Sequence, residues 1–264
     1  MSTNKTESLR RLLQPKTVAV FGGDSAVAVA RQCQGIGYAG EIWAVNPSRD
    51  EIAGIPCVKS IDDLPGVPDA SFVAAPPQAS LEIIAELSKR GAPGAVCFAS
   101  GFAEAGEEGE KMQAQLREAA GDMAVMGPNC HGFLNYLDGV ALWPDEHGGQ
   151  RVETGVALIT QSGNIALNLT MQQRAVGFAY VISVGNKSSV RLHEYIDMLL
   201  ADDRVTAIAM HIEGIRDVPG FSAAAIRALK KGVPIVALKA GRSSLGAEIT
   251  MSQTVTMTGS DRLK

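Results

Sequence analysis

Short apolar, β-branched runs recur along this chain, each closed by turn residues and followed by a longer stretch with helical spacing. That alternation limits the fold more than any other feature. A short run without polar alternation suits a strand buried on both faces. Parallel neighbours need a crossover, and the helical stretches supply it. The runs at 17–21, 41–45, 70–74, 95–98 and 123–126 read as strands, and 26–34, 79–90 and 104–120 read as helices. A polar, Gly-rich stretch at 143–154 has the composition of a linker or long loop. Beyond it the alternation restarts, with strands expected at 155–160, 179–184, 207–212 and 234–238 and helices at 162–176, 190–201 and 218–230. The expectation is two α/β domains with parallel sheets, 1–145 and 150–264.

The 264 residues suffice for two domains of common size, and the formal charge of −4 leaves no electrostatic footprint for nucleic acid. The first residues are polar and charged, unlike a signal peptide, and no apolar run approaches the length of a membrane span. Cys33, Cys57, Cys97 and Cys130 are scattered without a C-x-x-C pair, so they read as reduced thiols in a cytoplasmic protein. Cys33 and Cys97 are expected to be small buried apolar residues.

The turn after the first strand, Gly22-Gly23-Asp24-Ser25, opens a helix. Glycine lets backbone approach a phosphate there, and the helix start supplies free N–H groups. A tight turn without a ligand fits the same residues, because the full G-x-G-x-x-G pattern fails at Val27. The second strand carries more information. Dinucleotide enzymes place an acidic residue at its end to bind the ribose diol. Here it runs into Asn46-Pro47-Ser48-Arg49, with no carboxylate and a cation close by. That argues against NAD and for a ligand with an extra phosphate, such as coenzyme A. Further on, Gln161-Ser162-Gly163-Asn164 lies between a strand and a helix. It reads equally as an anion-binding helix start or as an ordinary Ser162 N-cap. Glu213 stands at a strand tip beside Gly214, where a carboxylate suits a partner that orients an imidazole, or is simply solvated.

These segments, with Phe72–Pro77, Phe98–Phe102, Met126–Cys130 and Ser252–Asp261, resemble the NDP-forming acyl-CoA synthetases, the superfamily of ADP-forming acetate-CoA ligases and the succinyl-CoA synthetase α subunit. The resemblance implies a Rossmann-like CoA-binding domain followed by a flavodoxin-like, succinyl-CoA synthetase-like parallel-sheet domain. It implies that Gly23, Asp24 and Ser25 lie near the CoA phosphates, with Asn46 and Arg49 beside them. Arg49 would stand where the succinyl enzyme has a lysine that contacts CoA. Pro76, Ser100, Gly101 and Asn129 would belong to the CoA-binding loops, Ser100 and Gly101 along the pantetheine path. Ser162, Gly163 and Asn164 would cradle a phosphoryl group, and Glu213 would hold the histidine that the family phosphorylates. That histidine is replaced here by Gln253. A carboxamide nitrogen has a delocalised lone pair and is not nucleophilic, although it hydrogen-bonds where an imidazole did. Lys239 and Arg242 are candidate phosphate-neutralising cations or plain surface charges. His131 reads as a surface or hydrogen-bonding residue and takes no role. No metal ligands are identified.

The activity implied is joining a carboxylic acid to CoA through an acyl phosphate and a phosphohistidine. ATP, ADP and magnesium would enter only through an ATP-grasp domain or subunit, since no Walker motif is present. Because the sequence stops just after the histidine loop, either another chain supplies that part or this is a fragment. The other reading is a non-catalytic CoA-binding module, as in degenerate homologues fused to acetyltransferases. An NAD-dependent oxidoreductase is disfavoured by the Asn46-Pro47 strand end and by the lack of a Tyr-x-x-x-Lys pair. A homo-oligomer is compatible with all of these readings; a nucleic-acid or membrane partner is not.

Overall fold

The computed structural model describes residues 3–172 and 176–241. The chain opens with α1 (Thr3–Leu13), which the polar start of the sequence hid. Leu9, Leu12 and Leu13 fall on one helical face and are fully buried. Next come β1 (Thr17–Gly22), α2 (Asp24–Gly35), β2 (Glu41–Val45), the short pair β3 (Glu51–Ile52) and β4 (Ile55–Val58), and β5 (Ala70–Ala74). They are followed by α3 (Pro77–Lys89), β6 (Gly94–Cys97), α4 (Glu107–Ala120) and β7 (Ala124–Met126). The helix expected over 104–120 is split: a 3₁₀ turn at Ala103–Ala105 stops at Gly106, whose φ of 90° lies outside the helical region.

The first sheet has strand order β3-β4-β2-β1-β5-β6-β7. All its pairings are parallel except β3 with β4. The second sheet comprises β8 (Gly132–Asn135), β9 (Val140–Leu142), β10 (Gly155–Thr160), β11 (Phe178–Ser183), β12 (Val205–Ile212) and β13 (Ile235–Lys239), ordered β13-β12-β10-β11-β8-β9. Helices α5 (Gly163–Thr170), α6 (Leu192–Leu200) and α7 (Val218–Lys231) connect its parallel members. The helix expected to run to 176 ends at Thr170.

The chain changes sheets before the polar stretch at 143–154, not within it. The hairpin β8–β9 pairs antiparallel with β11, so residues 132–142 belong to the second sheet. The polar stretch holds no regular element and links β9 to β10 inside that sheet's unit. Composition marks loops well, but it does not report which sheet edge a short buried hairpin joins.

The two sheets share one apolar core. A continuous buried cluster joins Val18, Phe72 and Val96 of the first sheet to Phe133, Leu142, Leu158 and Val181 of the second. Cys33 lies inside it, and Cys97 is buried on the other face of the first sheet. Burial pushes both thiols up to about 12, as inert core residues require.

Polar contacts stitch the sheets at residues 127–131. The Ser188 and Asn186 N–H groups donate to the carbonyls of Gly127 (3.0 Å) and Pro128 (2.9 Å), and Asn129 N–H donates to Ala99 O (2.9 Å). Asn186 Nδ2 donates to Glu104 Oε2 (2.5 Å) and Gln113 Oε1 (2.8 Å). Gly185 is required at this seam. Its φ is +53°, and a Cβ there would sit 2.3 Å from Pro128 O. Gly185→Ala is expected to destabilise the chain by roughly 1–3 kcal/mol through backbone strain, read as a lowered urea midpoint with unchanged slope.

Candidate active site

In each sheet the strand order reverses direction about one strand, β1 in the first and β10 in the second. Open α/β sheets bind ligands at the carboxyl ends of such strands, where crossovers leave on opposite faces and a crevice opens. Here the two crevices share one cavity of about 620 Å³. The first sheet contributes Ser25 from the start of α2, Ala74–Pro77 after β5, Phe98–Ser100 after β6 and Asn129–His131 after β7. The second contributes Gln161–Asn164 after β10 and Gly185 after β11. Residues separated in sequence by more than half the chain therefore face each other.

On the second-sheet side the turn is held locally. Ser162 N–H donates to Thr160 Oγ1 (3.0 Å), and Ser162 Oγ accepts from Ile165 N–H at a long 3.4 Å, the N-cap position of α5. Gln161, part of the loop motif but without a role of its own in the sequence reading, is central in the structure. Its Oε1 accepts from the N–H groups of Glu213 (2.8 Å) and Gly214 (3.1 Å). Two backbone donors fix the oxygen end of the amide, so the Nε2 hydrogens face the other way. Gln161 is 8% exposed, and its Nε2 has no hydrogen-bond partner among the described residues. A buried, unpartnered donor beside a helix start is an arrangement suited to an anion.

Glu213 is buried behind Gln161 rather than on the cavity wall. Lys187 is buried nearby, with Nζ donating to Gly214 O (3.1 Å). Burial chiefly, then the Arg216 charge, against an opposing pull from Glu213 and with a further push from Lys239, brings its ammonium down to about 7. Burial also lowers the His211 imidazole. Cationic charge therefore stays behind the wall, and among the described residues no Lys or Arg lines the cavity.

The remaining residues named from sequence fall in three places. Ser25, Pro76, Ser100, Asn129, Ser162, Gly163 and Asn164 line the cavity together. Gly23, Asp24, Asn46 and Arg49 lie apart from that lining as a small cluster beside α2. Asn46 Nδ2 donates to Gly22 O (2.8 Å), while its Oδ1 accepts from Ser48 and Arg49 N–H groups (2.9 and 2.8 Å). Asn46 therefore builds the turn. Arg49 pairs with Asp24 (2.7 Å), whose side chain is almost fully exposed. Gly101 stands just outside the lining, its N–H donating to Glu104 Oε1 (2.6 Å). Gln253 and Arg242 lie outside the described residues.

His131, given no role from sequence, lies on the cavity wall. Its Nε2 is 3.0 Å from Asp145 Oδ2. Its ring lies 5.2 Å from that of Trp143 and meets Phe98 edge-on. Its backbone N–H donates to Ser183 Oγ (3.3 Å). No sequence signal marked it, because Asp145 and Gly163 meet it only through the fold. Among the described residues no cluster of His, Cys, Asp or Glu is arranged to hold a metal, and no helix is long and apolar enough to cross a membrane.

Comparison with known proteins agrees with this geometry. Residues 16–136 match a CoA binding domain, and residues 153–263 match the succinyl-CoA ligase like flavodoxin domain. The chain is 33% identical over 265 residues to a trans-feruloyl-CoA synthase from an unknown prokaryotic organism, covering 96% of this chain and 38% of that protein. It is 32% identical to the α subunit of ADP-forming acetate–CoA ligase I from Pyrococcus furiosus, covering 97% of this chain and 58% of the subunit. The apo structure of the dinucleotide-forming acetyl-coenzyme A synthetase 1 of Ca. Korarchaeum cryptofilum superposes with a TM-score of 0.84 at 28% identity, over 94% of this chain and 56% of that one. The chain thus spans between about two-fifths and three-fifths of the length of these relatives. It carries, in sequence order, the CoA-binding domain and the succinyl-CoA ligase-like flavodoxin domain of the NDP-forming acyl-CoA synthetase family.

Proposed function

We propose that this chain is the CoA-binding and ligase portion of an ADP-forming acyl-CoA synthetase, in which a carboxylic acid is joined to CoA through an acyl phosphate. The observation that carries this reading is the shared cavity. It puts the loops after β1, β5, β6 and β7 opposite the start of α5 and the Nε2 of Gln161, which has no partner among the described residues. One side is a path for a thiol-bearing ligand, walled by Pro76, Phe98 and Ser100. The other is a neutral anion seat made of N–H groups. A thioester forms where those two meet. Phosphoryl and acyl transfer depend mainly on positioning and on donors aimed at developing charge, which helix-start N–H groups provide.

In this reading Gly23, Asp24, Ser25, Asn46 and Arg49 surround the CoA phosphates. Arg49 would exchange its surface partner Asp24 for the 3′-phosphate. Pro76, Ser100, Gly101 and Asn129 guide the pantetheine arm. Ser162, Gly163 and Asn164 hold phosphate, and Glu213 stands behind Gln161, whose amide oxygen its N–H holds, and acts on the residue at 253. ATP and magnesium belong to an ATP-grasp domain or partner subunit, and the protein works in the cytoplasm. The second reading, a non-catalytic CoA-binding module, is favoured by one feature, Gln253 in place of the phosphorylated histidine.

Calorimetric titration is expected to show binding of CoA and no competing binding of NAD. Arg49→Ala should weaken CoA about tenfold or more while leaving dephospho-CoA unaffected, the loss of a charge-assisted contact worth roughly 1.5–3 kcal/mol. NAD binding in preference to CoA would sink the proposal.

The relay itself gives a second test. Mixed with an ATP-grasp partner, ATP and magnesium, the chain as it stands should take up no acid-labile phosphate. Gln253→His should take it up and form acyl-CoA. If the histidine variant stays unlabelled beside a folded, ATP-binding partner, the module reading prevails.

A further inference from the structure

Attack of a thiol on an acyl phosphate requires a proton to leave sulfur, because a thiol at neutral pH is only a few per cent thiolate. Some group at the meeting point of the thiol path and the anion seat must accept it. Among the described residues lining the cavity, only Cys130 and His131 carry a side-chain group able to act as a base toward a thiol. Cys130 is disqualified. It is buried, its Sγ lies against Cys97 O (3.5 Å), and burial drives its pKa far upward. His131 remains.

The geometry of His131 fits the task. Asp145 Oδ2 lies 3.0 Å from Nε2, and a carboxylate only accepts, so Nε2 carries the hydrogen and Nδ1 keeps its lone pair. The ring is held between Trp143 and the edge of Phe98, which fixes its plane. Nδ1 is seated over the first turn of α5: a Cβ built on Gly163 would lie 1.9 Å from it, so only glycine at 163 leaves room for the imidazole. The side chain is 28% exposed and lines the cavity. Nδ1 is thus adjacent to the start of α5, and the imidazole stands on the wall of the cavity that the two sheets share. Asp145 is the charged group packed against it; Phe98, Trp143 and the Gly163 backbone carry no charge.

We propose that His131 is a catalytic residue of the acyl-transfer step, accepting the CoA thiol proton on Nδ1 and returning it to the departing phosphate, with Asp145 as the positioning residue. The inference rests on the CoA and acyl-phosphate reading above. The sulfur forms a bond to the acyl carbon, and the bond from that carbon to the phosphate oxygen breaks. The thiol proton passes to Nδ1 and from there to phosphate, which leaves as hydrogen phosphate. No electrons change hands, and no further reactant is needed. The step requires neither ATP nor the residue at 253, so the chain as it stands should carry it out with a supplied acyl phosphate.

The test uses the full chain with CoA and either acetyl phosphate or benzoyl phosphate, an aliphatic and an aromatic probe, following thioester absorbance. The unmodified chain should form thioester. His131→Gln, which retains a donor for Asp145, should lower kcat by about 10²–10⁴ while KM and calorimetric affinity for CoA stay within about threefold. His131→Gly should be slow and should regain rate on addition of free imidazole, a response that a merely structural role would not give. Three results overturn the proposal: His131→Gln turning over as fast as the unmodified chain, a loss confined to KM, or a His131→Gly chain that binds CoA yet is not rescued. If the unmodified chain binds CoA and transfers neither acyl group, the ligase reading itself fails, and this inference with it.

Discussion

The hydrogen-bonded crossing at residues 127–131 is the constraint on which the rest of the structure depends. The segment leaves the end of β7 in one sheet and enters β8 in the other, and its carbonyls are taken by the N–H groups of Asn186 and Ser188. Because backbone donors and acceptors buried at such a seam must all be paired, the relative placement of the sheets has little freedom. Gly185 allows the approach, and Asn186 extends it by bridging to Glu104, which in turn binds the N–H groups of Gly101 and Phe102. One network therefore fixes the loop after β6, the loop after β7 and the loop after β11. All three border the cavity.

Among the described residues the cavity lining contains no Lys, Arg, Asp or Glu. The donors that the proposed anion site would use are those of the α5 start and the Gln161 amide, while Lys187 is buried near Gly214, its ammonium depressed by burial. In the proposed reaction, such a wall of dipoles would stabilise a phosphoryl group without a fixed counter-charge that holds phosphate afterwards. Placing Glu213 behind Gln161 adds a consequence. The Glu213–Gly214 turn and the start of α5 are joined through one side chain, Gln161.

The cluster around Arg49 has a different character. Its ion pair with Asp24 is exposed, and exposed pairs contribute little stability. It is better understood as a cation kept in position by a weak partner than as a structural brace. Asn46, by contrast, commits its carbonyl oxygen and one amide hydrogen to the turn that presents Arg49. Its value is geometric.

Much of this was legible in the chain itself. Apolar runs such as 17–22 and 155–160 must be buried strands, because their side chains give no polar face to either side of a sheet. The glycine and serine loops after those strands mark the ligand ends, and the order of loop segments carries the family. The sequence did not show α1, whose three leucines are too few to outweigh a polar surround, nor the membership of residues 132–142 in the second sheet, since β8 and β9 are shorter than any reliable period. It was silent on Gln161 as an aimed donor and on His131 with Asp145 and Gly163. Those relations depend on which strand ends meet across a seam, and a linear pattern holds no information on distance between residues that only packing brings together. Local propensity and burial determined the elements; the pairing of two switch points across one hydrogen-bonded crossing decided the site.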